Sequence, residues 1–326
     1  MMDYAILAQL GVNPQSGVPL APHWGWYVVL YFYIGGITAG MYAIACALDA
    51  LGDPRDREAV SLGYRLAFPG VVLCGILLIL DLGQPLRFWH LLFKSHHFPA
   101  LIIKPWSPIS LGSWILAVFG GFAFASFVGT LVDAGKLRWR PLVAAYTRAR
   151  SLPRTVRGIW LALGALSGFA LAGYTGVLMI GTTRPVWHNA YLLGGLFLVS
   201  AFSTSYAFLA LALLRRGKHP DDVTVAKLDE AERWSLRFEI ALLGVTILWL
   251  GSTARPLLVG GYGVLFWILV VGVGLLTPIL LGRLPPRPAG ARRAELRAAC
   301  VLIGGLTLRF VFVMAPQWPR VAPWHL

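Results

Sequence analysis

The sequence predicts an all-α integral membrane protein of eight transmembrane helices, with both termini on the extracytoplasmic side. Three observations predict it. Of 326 residues, 57% are hydrophobic and only 13% are charged, which is about half the charge of a soluble domain. The apolar residues run in eight blocks, each near the ~20 residues a helix needs to cross the hydrocarbon core. The basic residues, 28 Lys+Arg against 14 Asp+Glu, concentrate in alternate loops. A soluble globular fold and a disordered chain are excluded on these grounds.

In order, the spans are Trp24–Ala50, Tyr64–Leu82, Ser110–Val132, Gly158–Gly181, Asn189–Leu214, Arg237–Ala254, Tyr262–Leu281 and Ala299–Ala315. The stretch before Trp24 has no Lys or Arg, so it lacks the basic leader of a cleavable signal peptide, and span 1 is expected to stay as a signal-anchor. The loops after spans 1, 3, 5 and 7 carry nineteen Lys and Arg residues and the opposite set carries six. The positive-inside rule places the richer set in the cytoplasm. The net charge of +14 then reports topology and not a nucleic-acid footprint.

The outer loops differ in kind. The longest, Gly83–Ile109, holds Phe88, His96 and His97 beside Arg87, Trp89, His90 and Trp106. The last four, with Arg184 of the following outer loop, are the expected docking residues for a partner. On the inner side, Asp221–Glu232 reads as an amphipathic lead into span 6. Three outward-running helices end alike, at Gly83-Gln84-Pro85, Gly181-Thr182-Thr183-Arg184-Pro185 and Gly251-Ser252-Thr253-Ala254-Arg255-Pro256. Gly relaxes a last turn and Pro stops a helix. These are either three ordinary stops or the mark of a repeated four-helix unit, since Pro22-His23-Trp24 leads span 1 and Pro185-Val186-Trp187-His188 leads span 5.

The residue types limit the chemistry. A membrane haem needs two His at matching depth on facing helices, yet all seven His lie in loops or at helix ends. Cys46, Cys74 and Cys300 are scattered without a CxxC pair, so zinc, iron–sulfur and disulfide frameworks have no support. A redox role therefore needs a diffusible carrier and a partner subunit. The glycine pairs Gly35-Gly36 (with Gly40), Gly120-Gly121 and Gly194-Gly195 predict close helix approach in lipid.

Ionisable groups inside the spans cost ~3 kcal/mol and are functional candidates by default. Among the acids these are Asp81, one turn inside the outer end of span 2, and Glu239, near the inner end of span 6. Arg309 interrupts span 8 at a depth of ~9 Å. Asp81 reads as a proton acceptor or as a ligand of backbone N–H groups, and Arg309 as a functional charge or as a snorkelling, carbonyl-capping residue. Arg309 and Glu239 lie too far apart in depth to pair directly, so a water or hydroxyl bridge through residues such as Thr246 and Thr307 is expected. Tyr174, in Tyr174-Thr175-Gly176 of span 4, serves either to hydrogen-bond a quinone carbonyl or to pack.

Taken together, the residues resemble the NrfD/polysulfide-reductase membrane subunits of respiratory molybdoenzyme and related complexes. The matching segments are Trp24-Gly25-Trp26 with the Gly35-Gly36…Ala39-Gly40 helix, Leu80-Asp81-Leu82-Gly83-Gln84-Pro85-Leu86-Arg87-Phe88, and Ser107-Pro108-Ile109-Ser110-Leu111-Gly112-Ser113-Trp114. Further on come Tyr174-Thr175-Gly176-Val177-Leu178, Thr183-Arg184-Pro185-Val186-Trp187 and Gly304-Gly305-Leu306-Thr307-Leu308-Arg309-Phe310. They run in the family's order over nearly the whole chain. Gln84 departs from the pattern, because the family often has Arg there.

The resemblance implies two four-helix bundles, a quinone-binding one over residues 24–181 and a second over 182–315. An extracytoplasmic segment 1–23 precedes them and a tail 316–326 follows. It further implies a subunit without the catalytic centre, which anchors the complex in the cell inner membrane and carries no haem and no bound metal. Menaquinone or ubiquinone is its exchangeable substrate. A four-cluster iron–sulfur subunit and a molybdopterin catalytic subunit dock on its extracytoplasmic face. By the same resemblance His23 and Tyr174, with Trp24, contact the quinone, Asp81 accepts its proton, and Glu239 and Arg309 line a proton path. The rival readings are a secondary transporter or channel, and a passive anchor without a quinone site.

Overall fold

The computed structural model describes residues 23–93, 101, 107–283 and 290–317, which are almost entirely helical. Among them eight helices are long and apolar enough to cross a membrane. We label these α1 (Trp26–Leu51), α2 (Arg57–Asp81), α3 (Pro108–Asp133), α4 (Arg154–Ile180), α5 (Leu193–Leu214), α6 (Val223–Leu250), α7 (Gly260–Arg283) and α8 (Gly290–Met314). Seven of the eight coincide with the expected spans to within a turn or two at most ends. The protein is a multi-pass membrane protein.

Helix α1 is the most enclosed, with 83% of its apolar window buried, because α2, α4, α5 and α8 all pack on it. Its small residues permit this. Gly36 abuts Ala201 of α5, Gly40 abuts Ser205, and Gly35 lies against Cys74 of α2. Gly120 meets Val71 and Gly194 meets Val177, whereas Gly121 and Gly195 have no neighbour within 4 Å of a Cβ position. In the first half of the sequence α1, α2, α3 and α4 contact one another in a closed cycle. In the second half α5 packs on α6 and α8, and α7 packs on α8.

Two elements correct the sequence reading. The stretch read as an amphipathic lead is the beginning of α6 itself. Asp222 caps it by accepting the Thr224 N–H at 3.0 Å, and no Gly or Pro interrupts the helix from there to Arg237. The 28-residue helix is ~42 Å long against a hydrocarbon core of ~30 Å. Glu239 consequently lies sixteen residues from the start of α6, near its middle and not near its inner end. The second correction concerns α7, where residues Phe266–Leu276 form a π-helix. Such helices rarely exceed one turn. The Thr277 hydroxyl donates to the Gly272 carbonyl at 2.8 Å, and Gly274 touches Gly304 of α8 with no room for a side chain.

At the basic end of the molecule the short Pro54–Asp56 turn is stapled to α6. Thr224 donates its hydroxyl to Asp56 Oδ1 at 2.6 Å, and Lys227 Nζ reaches Asp53 and Asp56 at 2.9 Å each. The Arg55 backbone N–H, and then Lys227, hold the Asp53 carboxyl below its ordinary range.

Candidate functional site

At the end opposite the basic loops, Tyr174 of α4 seats on α3 with Tyr31 of α1 near it. It is buried on α4, and its ring fills the space that Gly112 of α3 leaves open, where a Cβ would lie 2.2 Å from the ring. Its hydroxyl donates to the Pro108 carbonyl at the start of α3. Tyr31 of α1, only 2% exposed, lies near it, and Tyr31 in turn lies near Cys74 of α2, both bordering Gly35. The sequence reading missed Tyr31. Its signal was the aromatic run Trp26, Tyr27, Tyr31, Tyr33 on one helix, which composition alone assigns to packing. A Tyr174 hydroxyl that has spent its proton on Pro108 keeps lone pairs, so it can accept a hydrogen bond from a ligand.

Asp81 is the last residue of α2, half-exposed, and not one turn inside the helix. Among the described residues it makes no hydrogen bond or ion pair. The segment after it, Leu82–Phe88, is exposed throughout, so Arg87 projects outward. Trp89 and His90 are half-buried, with ring centroids 3.8 Å apart. Trp106, His96 and His97 lie outside the described residues.

His23 is exposed at the entrance to α1, and Trp24 stacks on Trp187 at 4.8 Å. The Gln317 side chain accepts the Trp24 N–H at 2.9 Å and donates to its carbonyl at 3.0 Å. Trp187 is fully buried and donates Nε1–H to the Phe312 carbonyl at 2.6 Å. Arg184 stands over the Trp187 ring at 5.4 Å and donates to the Pro316 carbonyl at 3.2 Å. Trp24 and Arg184 thus knit α1, the α4–α5 connection and the end of α8 together. Among the described contacts neither His23 nor Trp24 touches Tyr174.

Deep in the membrane region the structure brings Arg309 and Glu239 into one array. Arg309 is fully buried. Its Nε donates to the Phe32 carbonyl at 3.2 Å, and its Nη1 donates to the Gly305 carbonyl at 2.7 Å and to Ser200 Oγ at 3.1 Å. The rings of Phe197 and Tyr33 flank the guanidinium at 5.5 and 5.8 Å, and Gly36 leaves space for it. Glu239, 3% exposed, accepts the Ser203 hydroxyl at 2.6 Å. The hydroxyls that lie on the two charges are those of Ser200, on Arg309, and Ser203, on Glu239, both from α5. Thr246 and Thr307 turn their hydroxyls back onto the carbonyls of Leu242 and Ile303, four residues upstream on their own helices, as Thr commonly does inside helices. The legible signal was Ser200, Ser203, Thr204 and Ser205, four hydroxyls within six residues of a span.

A second buried arginine lies nearer the basic end. Arg297 of α8 pairs with Asp229 and, at 3.1 Å, with Glu232. Both acids fall in the stretch that the sequence reads as an amphipathic lead into span 6. They are on α6, and Glu232 is fully buried. Among the described residues no three His, Cys, Asp or Glu side chains converge.

The family described as "Polysulphide reductase, NrfD" matches residues 15–320. The protein is 28% identical to the C subunit of the polysulfide reductase of Wolinella succinogenes over 318 residues, covering 90% of this sequence and 94% of that one. It is 27% identical to protein NrfD of Escherichia coli strain K12 over 307 residues, covering 90% and 95%. A protein NrfD homolog of Haemophilus influenzae is 23% identical over 313 residues, covering 90% and 94%.

Proposed function

Because this chain belongs to the polysulphide reductase NrfD family, we propose that it is the cofactor-free quinol-binding subunit of a respiratory oxidoreductase complex. It exchanges electrons between the membrane quinone pool and a docked iron–sulfur subunit, itself joined to a molybdopterin catalytic subunit. In this reading residues 24–181 and 182–315 are two four-helix bundles, with the segment 1–23 and the tail 316–326 outside the cell inner membrane beside the partners. The observation that carries the proposal is the meeting of α3 and α4 at Tyr174, with Tyr31 of α1 near it, at the end opposite the basic loops.

The quinol reaches this region laterally from the lipid. Tyr174, whose own proton is committed to Pro108, accepts a hydrogen bond from a quinol O–H, which favours the reduced carrier over the quinone. His23 supports the second ring oxygen. Asp81, without an ion pair among the described residues, takes one of the two protons released and water at the exposed rim takes the other. The two electrons leave singly for the partner's nearest cluster. The exposed Arg87, with Trp89, His90, Trp106 and Arg184, forms the docking surface. Glu239 and Arg309 line a proton route toward the basic side.

The complex purified with its own partner subunits tests this. Asp81→Asn should abolish turnover with a quinol donor and leave assembly and viologen-driven turnover unchanged. Tyr174→Phe should lower the quinol rate by about tenfold, the upper end for one hydrogen bond. Equal loss with viologen would remove both residues from quinol chemistry. The charged array at Arg309 is what a transporter would use, and purification without any iron–sulfur subunit would favour that reading instead.

A further inference from the structure

The α3–α4 connection on the basic side has features that quinol chemistry does not use. Gly135 takes a left-handed conformation, φ 67°, to turn the backbone after α3, and an eleven-residue helix, Arg140–Arg150, follows before α4. From Lys136 to Arg157 there are seven basic residues and no acidic one. The neighbouring Asp133 is taken by Arg150 at 2.8 Å and by the Tyr146 hydroxyl at 2.7 Å, and Arg157 is taken by Asp49. Burial first, and then Asp133, push the Tyr146 hydroxyl up to about 12, so it stays a donor. Its ring sits where Gly129 of α3 has no Cβ, which docks the short helix onto the end of α3. Lys136, Arg138, Arg140, Arg148 and Arg154 remain exposed, and among the described residues none of them forms an ion pair.

Beside this helix lies an open cavity of about 510 Å³, lined by Leu137, Arg138, Arg140, Val143 and Ala144. Two arginines among the lining of an open, mainly apolar concavity match an amphiphile that carries a negative head on a hydrocarbon body. The position agrees. The connection joins the ends of two spanning helices, so it lies at headgroup level, and Trp139, 63% exposed, is of the type that anchors at a membrane interface. A soluble acidic peptide would leave that indole in water, whereas lipid covers it. We propose that this cavity is a binding site for an anionic phospholipid. Arg138 and Arg140 hold its phosphate, and the first acyl carbons rest on Leu137, Val143 and Ala144.

The test is native mass spectrometry and thermal denaturation of the protein in a neutral detergent. Phosphatidylglycerol, phosphatidylcholine, inorganic phosphate and a soluble acidic peptide are titrated separately. Phosphatidylglycerol should stay bound and raise the melting temperature, and the other three should not. The double variant Arg138→Gln/Arg140→Gln, altered only at exposed side chains, should weaken phosphatidylglycerol binding roughly thirtyfold, at about fivefold per basic residue at a lipid surface. Arg148→Gln, outside the cavity, should change it little, and Arg138→Lys/Arg140→Lys should retain most of it. Equal retention of phosphatidylcholine, the same stabilisation by inorganic phosphate, or displacement by the acidic peptide would overturn the proposal. An effect of Arg148→Gln as large as that of the double variant would do the same, because it would reduce the site to diffuse charge.

Discussion

Helices α6 and α8 carry two buried arginine–acid arrangements, and they are built differently. Nearer the basic end, Arg297 meets Asp229 and Glu232 directly. Deeper in, Arg309 and Glu239 do not touch, and two serines of α5 stand between them. A direct pair fixes its charges in place. In a hydroxyl relay each member both donates and accepts, so it can reverse direction by rotating an O–H bond. The contrast teaches that the same two helices hold a brace at one level and a polar link with freedom to reorient at the next. The third helix makes the difference.

The largest effect is expected where the brace is broken. Arg297→Met leaves the buried Glu232 and the half-buried Asp229 without their cation and should cost about 3–5 kcal/mol, seen as a large fall in melting temperature in detergent. Ser203→Ala takes the hydroxyl donor from Glu239 and should cost about 1–3 kcal/mol. Ser200→Ala removes one of several Arg309 contacts and should cost about 0.6 kcal/mol, the average for a hydrogen bond between membrane helices. If Ser200→Ala proved as damaging as Arg297→Met, the relay would be a brace as well. The functional side of the contrast is sharpest in a pair of neutral isosteres. Glu239→Gln should depress quinol-linked proton uptake by reconstituted vesicles while the fold persists, and Glu232→Gln should leave uptake near the parent level. Equal depression by both would erase the distinction between the two levels.

Much of the architecture was legible because a bilayer makes length and apolarity decisive. The eight spans and the close packing along Gly35, Gly36 and Gly40 of α1 follow from those rules. The beginning of α6 was misread because hydropathy reports where lipid is, not where a helix starts. The charged turns from Val223 to Glu232 are as helical as the apolar ones. The π segment of α7 has no composition signature, since Phe266–Leu276 is uniformly apolar, and its close contact at Gly274 is with Gly304 of another helix. Asp81, Glu239 and Arg309 were visible as charges in lipid, but Ser200, Ser203 and Tyr31 were not, because hydroxyls in spans are common and their partners lie on other helices. The link between Trp24 and Gln317 joins residues 293 positions apart, a relation that no local pattern encodes.

That link has a consequence for biogenesis. The eighth span grips the first, through Gln317 on Trp24 and Arg309 on Phe32. Gly40 and Gly35 of α1 are already covered by α5 and α2, but the space beside Gly36 is completed only when Arg309 of α8 is in place. A variant cut after α7 lacks these hydrogen bonds and should be degraded faster than the parent in a pulse-chase measurement.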